Sequence, residues 1–316
     1  MAMQFELSDH HFDEIRGIVF RLSGIHLADS RKSLVIARLS RRLRYYKFNN
    51  FDDYIDVLKR DENAEQQKLI NAITTNETRF FREQRHFDFL SDNLRKGETK
   101  NNLRIWSAAC ASGEEPYSIA MQIEHLHAHI SYQILASDIN SEVLASAKTG
   151  CYPNMELRQI PQIIADEYVE ISNTDAESFS LSSKLIQKIN FCRINLIEKL
   201  PGIGLFDYIF FRNALIYFDL NTQRKIVNAI IKQLKTGGYL FIGHSENLRD
   251  ITDKLVQSSL GTDEWDGSNE TLKNAHQRVR GMSNVVQTSE MSKQHFKDLD
   301  KEIETALNLR KDAPVW

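Results

Sequence analysis

Five short apolar runs, separated by polar turns and helix-length segments, constrain the fold of this chain more than any other feature. They are LRIWSA (103–108), YQILAS (132–137), INFCRI (189–194), FDYIFF (206–211) and GYLFIG (238–243), and helical patterning fills 115–127, 141–148 and 221–234. Strands that alternate with helices predict βαβ units, and such units assemble into a mostly parallel sheet. A sheet of that kind binds its ligands outside the carboxyl ends of its strands, so the turns after the strands are where function is to be sought.

The flanks read differently. Over residues 8–75 apolar residues recur at three and four spacing, which predicts helices. Ser8 opens the first, with Phe12, Ile15, Val19 and Leu22 on one face, and Gly24 stops it. Others are expected at about 30–46, 51–60 and 64–74. Between 155 and 189 the βα rhythm breaks, and EYVEIS, SFSLSS and KLIQKIN suit a small antiparallel hairpin insert. Residues 250–316 are polar and weakly patterned apart from a helical run near 292–309. The expected organisation is a helical domain over 1–75, a linker over 76–99, an α/β domain over 100–250 with its insert at about 155–189, and a tail over 251–316.

A chain of 316 residues has room for both domains. Its net charge of −3 gives no global attraction to nucleic acid. The N-terminus lacks a basic start followed by an apolar run, and the apolar stretches fall short of the roughly 20 residues a bilayer span needs. Cys110, Cys151 and Cys192 are far apart and form no CxxC pair, so they read as reduced thiols. A cytoplasmic location with no membrane insertion is expected.

The richest turn is WSAACASGEEPYSIA (106–120), which follows a strand and opens a helix. Ala108, Ala109, Ala111, Ser112 and Gly113 are small enough for backbone amides to approach a ligand, and Ser112 and Glu115 have capping-box spacing. A single glycine does not make a pyrophosphate-binding GxGxxG turn, which favours a ligand without phosphates; a well-capped strand–helix joint is the structural alternative. Asp138 ends the second strand 25 positions beyond Gly113, close to the spacing of about 20 at which an acid accepts both hydroxyls of a ribose. It could instead cap the next helix, although Asn140 or Ser141 can fill that post. Asn195 and Asn213 sit just past later strands, where a carboxamide suits an adenine edge or a carboxylate and is equally a common turn former. TTNETRFFRE (74–83) interleaves Asn76, Thr78 and Arg82 with Phe80 and Phe81, as a pocket wall or an aromatic plug between domains. LKTGGYLFIGHSE (234–246) reads as a helix end turning through Gly237 and Gly238 into a strand. In HLHAH, His125 and His129 are one turn apart with no third ligand nearby, so no metal site is expected there.

Taken in order, TTNETRFFRE, WSAACASGEEPYSIA, LASDIN, INL, FRNALIYF and GGYLFIGHSEN closely resemble the chemotaxis receptor methyltransferase (CheR) family over about Leu7 to Asn247. The resemblance implies a class I methyltransferase-like, Rossmann-like α/β domain behind an all-helical one. It implies S-adenosylmethionine as cofactor and S-adenosylhomocysteine as product, with the methyl group transferred to glutamate side chains of chemoreceptors. By that resemblance Asn76, Thr78 and Arg82 line the methionine end, and Glu115 and Asp138 contact the amino-acid and nucleoside portions. Asn195, Leu196, Asn213 and Ala214 border the cofactor, and Arg82 and Tyr217 belong to the active site. A glutamate carboxylate is already ionised at neutral pH, so the transfer needs no general base.

The stretch 31–47 holds Arg31, Arg38, Arg41, Arg42 and Arg44 and no acid. A solvated face would look the same, but the family uses this helix to meet the acidic methylation region of the receptor's cytoplasmic domain. The resemblance thus implies a cytoplasmic monomer recruited to membrane receptor clusters, with an insert of the kind that in some members docks a receptor's C-terminal peptide. After Asn247 the family adds an antiparallel strand that is hard to place here, and a segment such as Lys254–Ser258 is one candidate. Two other functions compete. A non-catalytic cofactor-sensing or receptor-binding module would share the fold, although Arg82 and Tyr217 favour catalysis. An NAD-dependent dehydrogenase is disfavoured by the missing glycines.

Overall fold

The computed structural model describes residues 5–61, 64–96, 102–171, 177–248, 250–252, 255–257 and 285–288. Its first part is helical, as the spacing predicts. Helix α1 (Asp9–Ser23) starts at Ser8, whose side chain accepts from His11 N, and ends at Gly24 with φ 73°. A Cβ there would lie 2.6 Å from the Ile197 side chain, so the turn and the approach to the second domain both require glycine. Helices α2 (Lys32–Tyr46), α3 (Phe51–Arg60) and α4 (Glu65–Ile73) complete this part. Their apolar stripes, among them Ile15, Val19, Val35, Leu39, Leu43, Leu58 and Leu69, close one core.

One carboxylate lies inside that core. Glu65 is wholly buried and accepts from Arg42 Nε at 2.7 Å, Arg42 Nη2 at 2.6 Å, and the Tyr46 and Tyr54 hydroxyls, each at 3.0 Å. Burying a charge is costly unless it is paired and hydrogen-bonded, and here four donors meet one carboxylate.

Residues 85–96, expected as part of a linker, instead form helix α5 (Arg85–Lys96), whose Phe87, Phe89 and Leu90 enter the main core. The chain then runs β1 (Leu103–Ala108), α6 (Glu114–His127), β2 (Tyr132–Asp138), α7 (Ser141–Thr149), β3 (Cys151–Pro153), α8 (Gln162–Tyr168), β4 (Val169–Ile171), β5 (Ser178–Leu181), α9 (Ser183–Ile186), β6 (Ile189–Arg193), β7 (Phe206–Phe211), α10 (Leu220–Ile231), β8 (Leu234–Phe241), β9 (Leu255–Gln257) and β10 (Val285–Thr288).

The large sheet has the order β6-β2-β1-β7-β8-β10-β9. Its first five strands are parallel, and β10 pairs antiparallel with both β8 and β9. From β1 the chain builds outward through β2 and β6, then crosses to the other side of β1 for β7 and β8. The reversal opens a crevice between the ends of β1 and β7.

Three local expectations change. The insert is a three-stranded antiparallel sheet in the order β3-β5-β4, not a hairpin, and KLIQKIN divides between α9 and the start of β6. Helix α10 stops at Ile231, and β8 runs straight through Gly237 and Gly238, with a register irregularity opposite Phe206 and Tyr208. Gly237 has φ 75°, the conformation such a bulge needs, so the pair serves a strand and not a helix end. The candidate edge segment does contain a strand, β9, but β10, from the stretch read as tail, lies between it and β8. The helical run near 292–309 falls outside the described residues. Among the described residues no helix is long and apolar enough to cross a membrane.

Candidate active site

The crevice is built from the turns after the strands, together with the segment between α4 and α5. After β1 the chain turns through Ala109 (φ 63°), Ala111 (φ 49°) and Gly113 (φ 99°). Left-handed alanines are costly and persist only where surroundings dictate them. A Cβ on Gly113 would lie 2.9 Å from both Ala147 Cβ and Tyr152 Oη, so this turn packs too closely for any side chain.

Asp138 is one of the constraints. Its Oδ2 accepts from Ala111 N and its Oδ1 from Asn140 N, each at 2.9 Å, and only 6% of the residue is exposed. Burial pushes its carboxyl above the usual range, against the pull of the Asn140, Ala111 and Ile139 N–H groups. Asn140 caps α7, accepting from Glu142 N and Val143 N, so Asp138 is not engaged in capping. The Asn140 amide also reaches across the domain boundary, donating to Asn71 O at 3.1 Å, Thr74 Oγ1 at 2.8 Å and Asn76 Oδ1 at 3.0 Å. Asn76 is therefore fixed beside the end of β2.

The expected capping box does not form: Gly113 is the N-cap of α6 and has no side-chain cap. Ser112 Oγ donates to Glu114 at 2.8 Å, and burial drives the Glu114 carboxyl up to about 7. Glu115 turns into the crevice, where it accepts from Ser107 Oγ at 2.6 Å and Arg212 Nη1 at 3.1 Å.

Arg212, which is not among the expected site residues, organises the floor. It is buried at the end of β7, pairs with Glu115 and with Glu83 Oε2 at 3.1 Å, and donates to the Arg82 carbonyl. An arginine closing a strand as apolar as FDYIFF must enter the interior and find acids there, and that signal is present in the sequence. Burial raises the Glu83 carboxyl, but Arg212, the His244 N–H and the nearby imidazoles outweigh it and hold it below the usual range. Burial, then Arg212, push the wholly buried His86 imidazole down to about 3.

Asn213 has φ 56° and bridges two acids: its N–H donates to Glu246 Oε2 at 2.9 Å and its amide to Glu83 Oε1 at 3.3 Å. Glu246 also accepts from Gly243 N at 2.6 Å and Leu215 N at 2.8 Å, which ties the turns after β7 and β8 together. Ala214 is buried next to it.

Arg82 is half-buried and donates through Nη1 to Glu77 O at 3.0 Å, and Thr78, also half-buried, lies on the same segment. Tyr217 ends a short 3-10 turn (Leu215–Tyr217) and is half-buried; its carbonyl accepts from His26 N at 2.8 Å, so the helical domain abuts this turn. Asn195 does not turn its amide to the crevice. It donates to Leu22 O at 2.8 Å and Glu198 Oε1 at 2.7 Å, joining the end of α1 to the turn after β6, beside half-buried Leu196.

The arginine stripe divides. Arg38 donates to the Ile73 and Thr74 carbonyls and to Thr75 Oγ1 at 3.0 Å, and Arg42 serves Glu65. Arg31, Arg41 and Arg44 are exposed. In HLHAH, His125 Nδ1 lies 2.9 Å from Glu167 Oε2.

Residues 76–262 match the family profile described as "CheR methyltransferase, SAM binding domain", and residues 10–74 match "CheR methyltransferase, all-alpha domain". The chain is 39% identical over 256 residues to the chemotaxis protein methyltransferase of Salmonella typhimurium, covering 79% of this chain and 88% of that one. It is 38% identical over 261 residues to the chemotaxis protein methyltransferase of Escherichia coli (81% and 91%). It is 40% identical over 249 residues to chemotaxis protein methyltransferase 2 of Pseudomonas aeruginosa (77% and 89%). With an all-α domain ahead of an α/β domain whose strand order reverses beside β1, and with both family profiles matched over 10–74 and 76–262, the chain belongs to the CheR methyltransferases and takes S-adenosylmethionine as its cofactor.

Proposed function

We propose that this protein transfers methyl groups to glutamate side-chain carboxylates of chemoreceptor cytoplasmic domains, forming methyl esters. The observation that carries the reading is Arg82, a half-buried guanidinium at the crevice whose one hydrogen bond among the described residues runs from Nη1 to Glu77 O. The rest of the fork is open to a carboxylate, for which two parallel N–H donors are the matching partner.

The donor set fits the cofactor. Asp138 keeps acceptor capacity for ribose hydroxyls beyond its two amide bonds, since an ionised carboxylate has about four lone-pair sites. The turn after β1 has the small residues that let a ligand approach the backbone. When bound, S-adenosylmethionine supplies a methyl group already activated by its sulfonium. Asp138 would hold the nucleoside, the Asn76–Arg82 segment would meet the amino-acid end, and the Asn213–Ala214 backbone would border it. At Asn195 and Leu196 the backbone is the remaining contact, because the Asn195 amide faces α1. Arg82 positions the acceptor carboxylate, and Tyr217, on the turn after β7, orients it. Holding reactants in near-attack geometry is worth about 7–11 kcal/mol, and a carboxylate nucleophile asks for little else. Exposed Arg31, Arg41 and Arg44 steer acidic receptor helices toward the crevice.

The test is incubation of the protein with methyl-labelled cofactor and a receptor cytoplasmic domain. Base-labile label on receptor glutamates supports the reading. Cofactor binding with no transfer to any receptor domain overturns it in favour of a non-catalytic module.

A further inference from the structure

Behind the crevice floor, three side chains from separate turns converge in a way methyl transfer does not require. Glu83 stands just ahead of α5 in a left-handed conformation (φ 62°), His86 lies in the first turn of α5, and His244 follows β8. Their ligand atoms all lie within 4.8 Å of one another. Glu83 Oε2 is 3.4 Å from His86 Nδ1 and 3.9 Å from His244 Nε2. Tetrahedral zinc with bonds of about 2.0–2.1 Å sets its ligand atoms roughly 3.4 Å apart, so a small rotation of the half-exposed His244 ring closes the set.

A second observation points to a ligand. His86 is wholly buried, yet neither ring nitrogen has a hydrogen-bond partner, and Glu83 Oε2, although ion-paired, accepts no hydrogen bond either. Buried polar atoms without partners are rare in native proteins and ask for an ion or a water. The surrounding charge suits a cation. Arg212 Nη2 lies 3.1 Å from Glu83 Oε2, but this single guanidinium also answers Glu115, and Glu246 lies beyond Asn213. Three carboxylates, Glu83, Glu115 and Glu246, thus stand around two guanidiniums, Arg212 and, near Glu115, Arg82.

We propose that Glu83, His86 and His244 form a site for one divalent transition-metal ion of the zinc class. Two imidazoles and one carboxylate select such an ion over magnesium or calcium, which prefer all-oxygen ligands. The fourth position opens toward solvent on the His244 side. The ion would brace the Phe80–Glu83 turn against the turn after β8 from behind, without touching the reacting atoms.

The test uses the full chain, freed of metal by chelator, and zinc chloride alone as the probe. Calorimetry should find a site that weakens at least tenfold in His244→Ala and is unchanged in His125→Ala. With cobalt(II) in place of zinc, the wild type should show the intense visible absorption of a tetrahedral complex and His244→Ala should lose it, while its circular dichroism stays native. Absence of zinc binding, or binding of equal strength in folded His244→Ala, overturns the proposal.

Discussion

Arg82 lies between α4, which ends at Ile73, and α5, on a segment whose Phe80 and Phe81 enter the main core and not the helical one, while Arg82 itself stays half-buried. Arg82→Ala should therefore lower methyl transfer on the order of a hundredfold, the size of effect that a misplaced reactant produces, while cofactor affinity stays within a few-fold. Turnover assays beside equilibrium cofactor binding separate the two, and near-normal turnover would remove Arg82 from the mechanism. Glu114, in the first turn of α6, is a stability matter. Burial raises its carboxyl to about 7, so the folded protein keeps a proton that the unfolded chain, near 4.5, has released. Stability from this group is therefore greatest at low pH and is lost as pH rises from about 4.5 through about 7. The loss is on the order of 1–3 kcal/mol. Urea midpoints from about pH 5 to about pH 8 should fall less in Glu114→Gln than in the wild type, and parallel profiles would refute it. At this scale the place of Asp138 at the end of β2 was legible, because LASDIN closes an apolar run with an acid. The Asn195 amide was not, because its partner, the Leu22 carbonyl, lies 173 positions away.

Elements hold the site through contacts that local pattern does not reveal. Arg42 and Glu65 connect α2 to the start of α4, and truncating one partner leaves the other charge buried. Arg42→Ala should cost about 3–5 kcal/mol in urea unfolding, a loss that an exposed arginine would not cause. Gly243 is a second case. A Cβ there would lie 2.8 Å from Asn213 N and 2.9 Å from Glu246 Oε2, displacing the turn that we propose borders the cofactor. Gly243→Ala should weaken cofactor binding about tenfold or more, as measured by calorimetry, and unchanged affinity would show that the turn tolerates the shift. The helices of the first domain and the five parallel strands were readable because their periodicity is strong. Helix α5 was hidden behind the aromatic Phe80–Phe81 pair, and the strand through Gly237 and Gly238 was hidden by two residues that ordinarily mark a turn. A bulge uses the same residue for a different purpose.

At the scale of the molecule, the arginine stripe becomes a question of which charges face outward. Arg38 and Arg42 are committed to the helical domain, so the receptor steering we propose falls to Arg31, Arg41 and Arg44. Charge reversal at Arg41 and Arg44 together should lower kcat/KM for a receptor domain about tenfold at low salt, and the difference should shrink near 1 M salt, where the screening length is about 3 Å. A salt-independent difference, or none, would return this face to ordinary solvation. The pattern of charge was visible in the sequence, but which arginines were already paired depended on Glu65 and on the end of α4. The sheet adds a consequence of another kind. Strand β10 joins the sheet between β8 and β9, although its residues 285–288 come well after Gln257, the last of β9. During synthesis β9 emerges first yet has no neighbour to pair with until β10 arrives, so this edge of the sheet is the last part of the domain that a growing chain can complete.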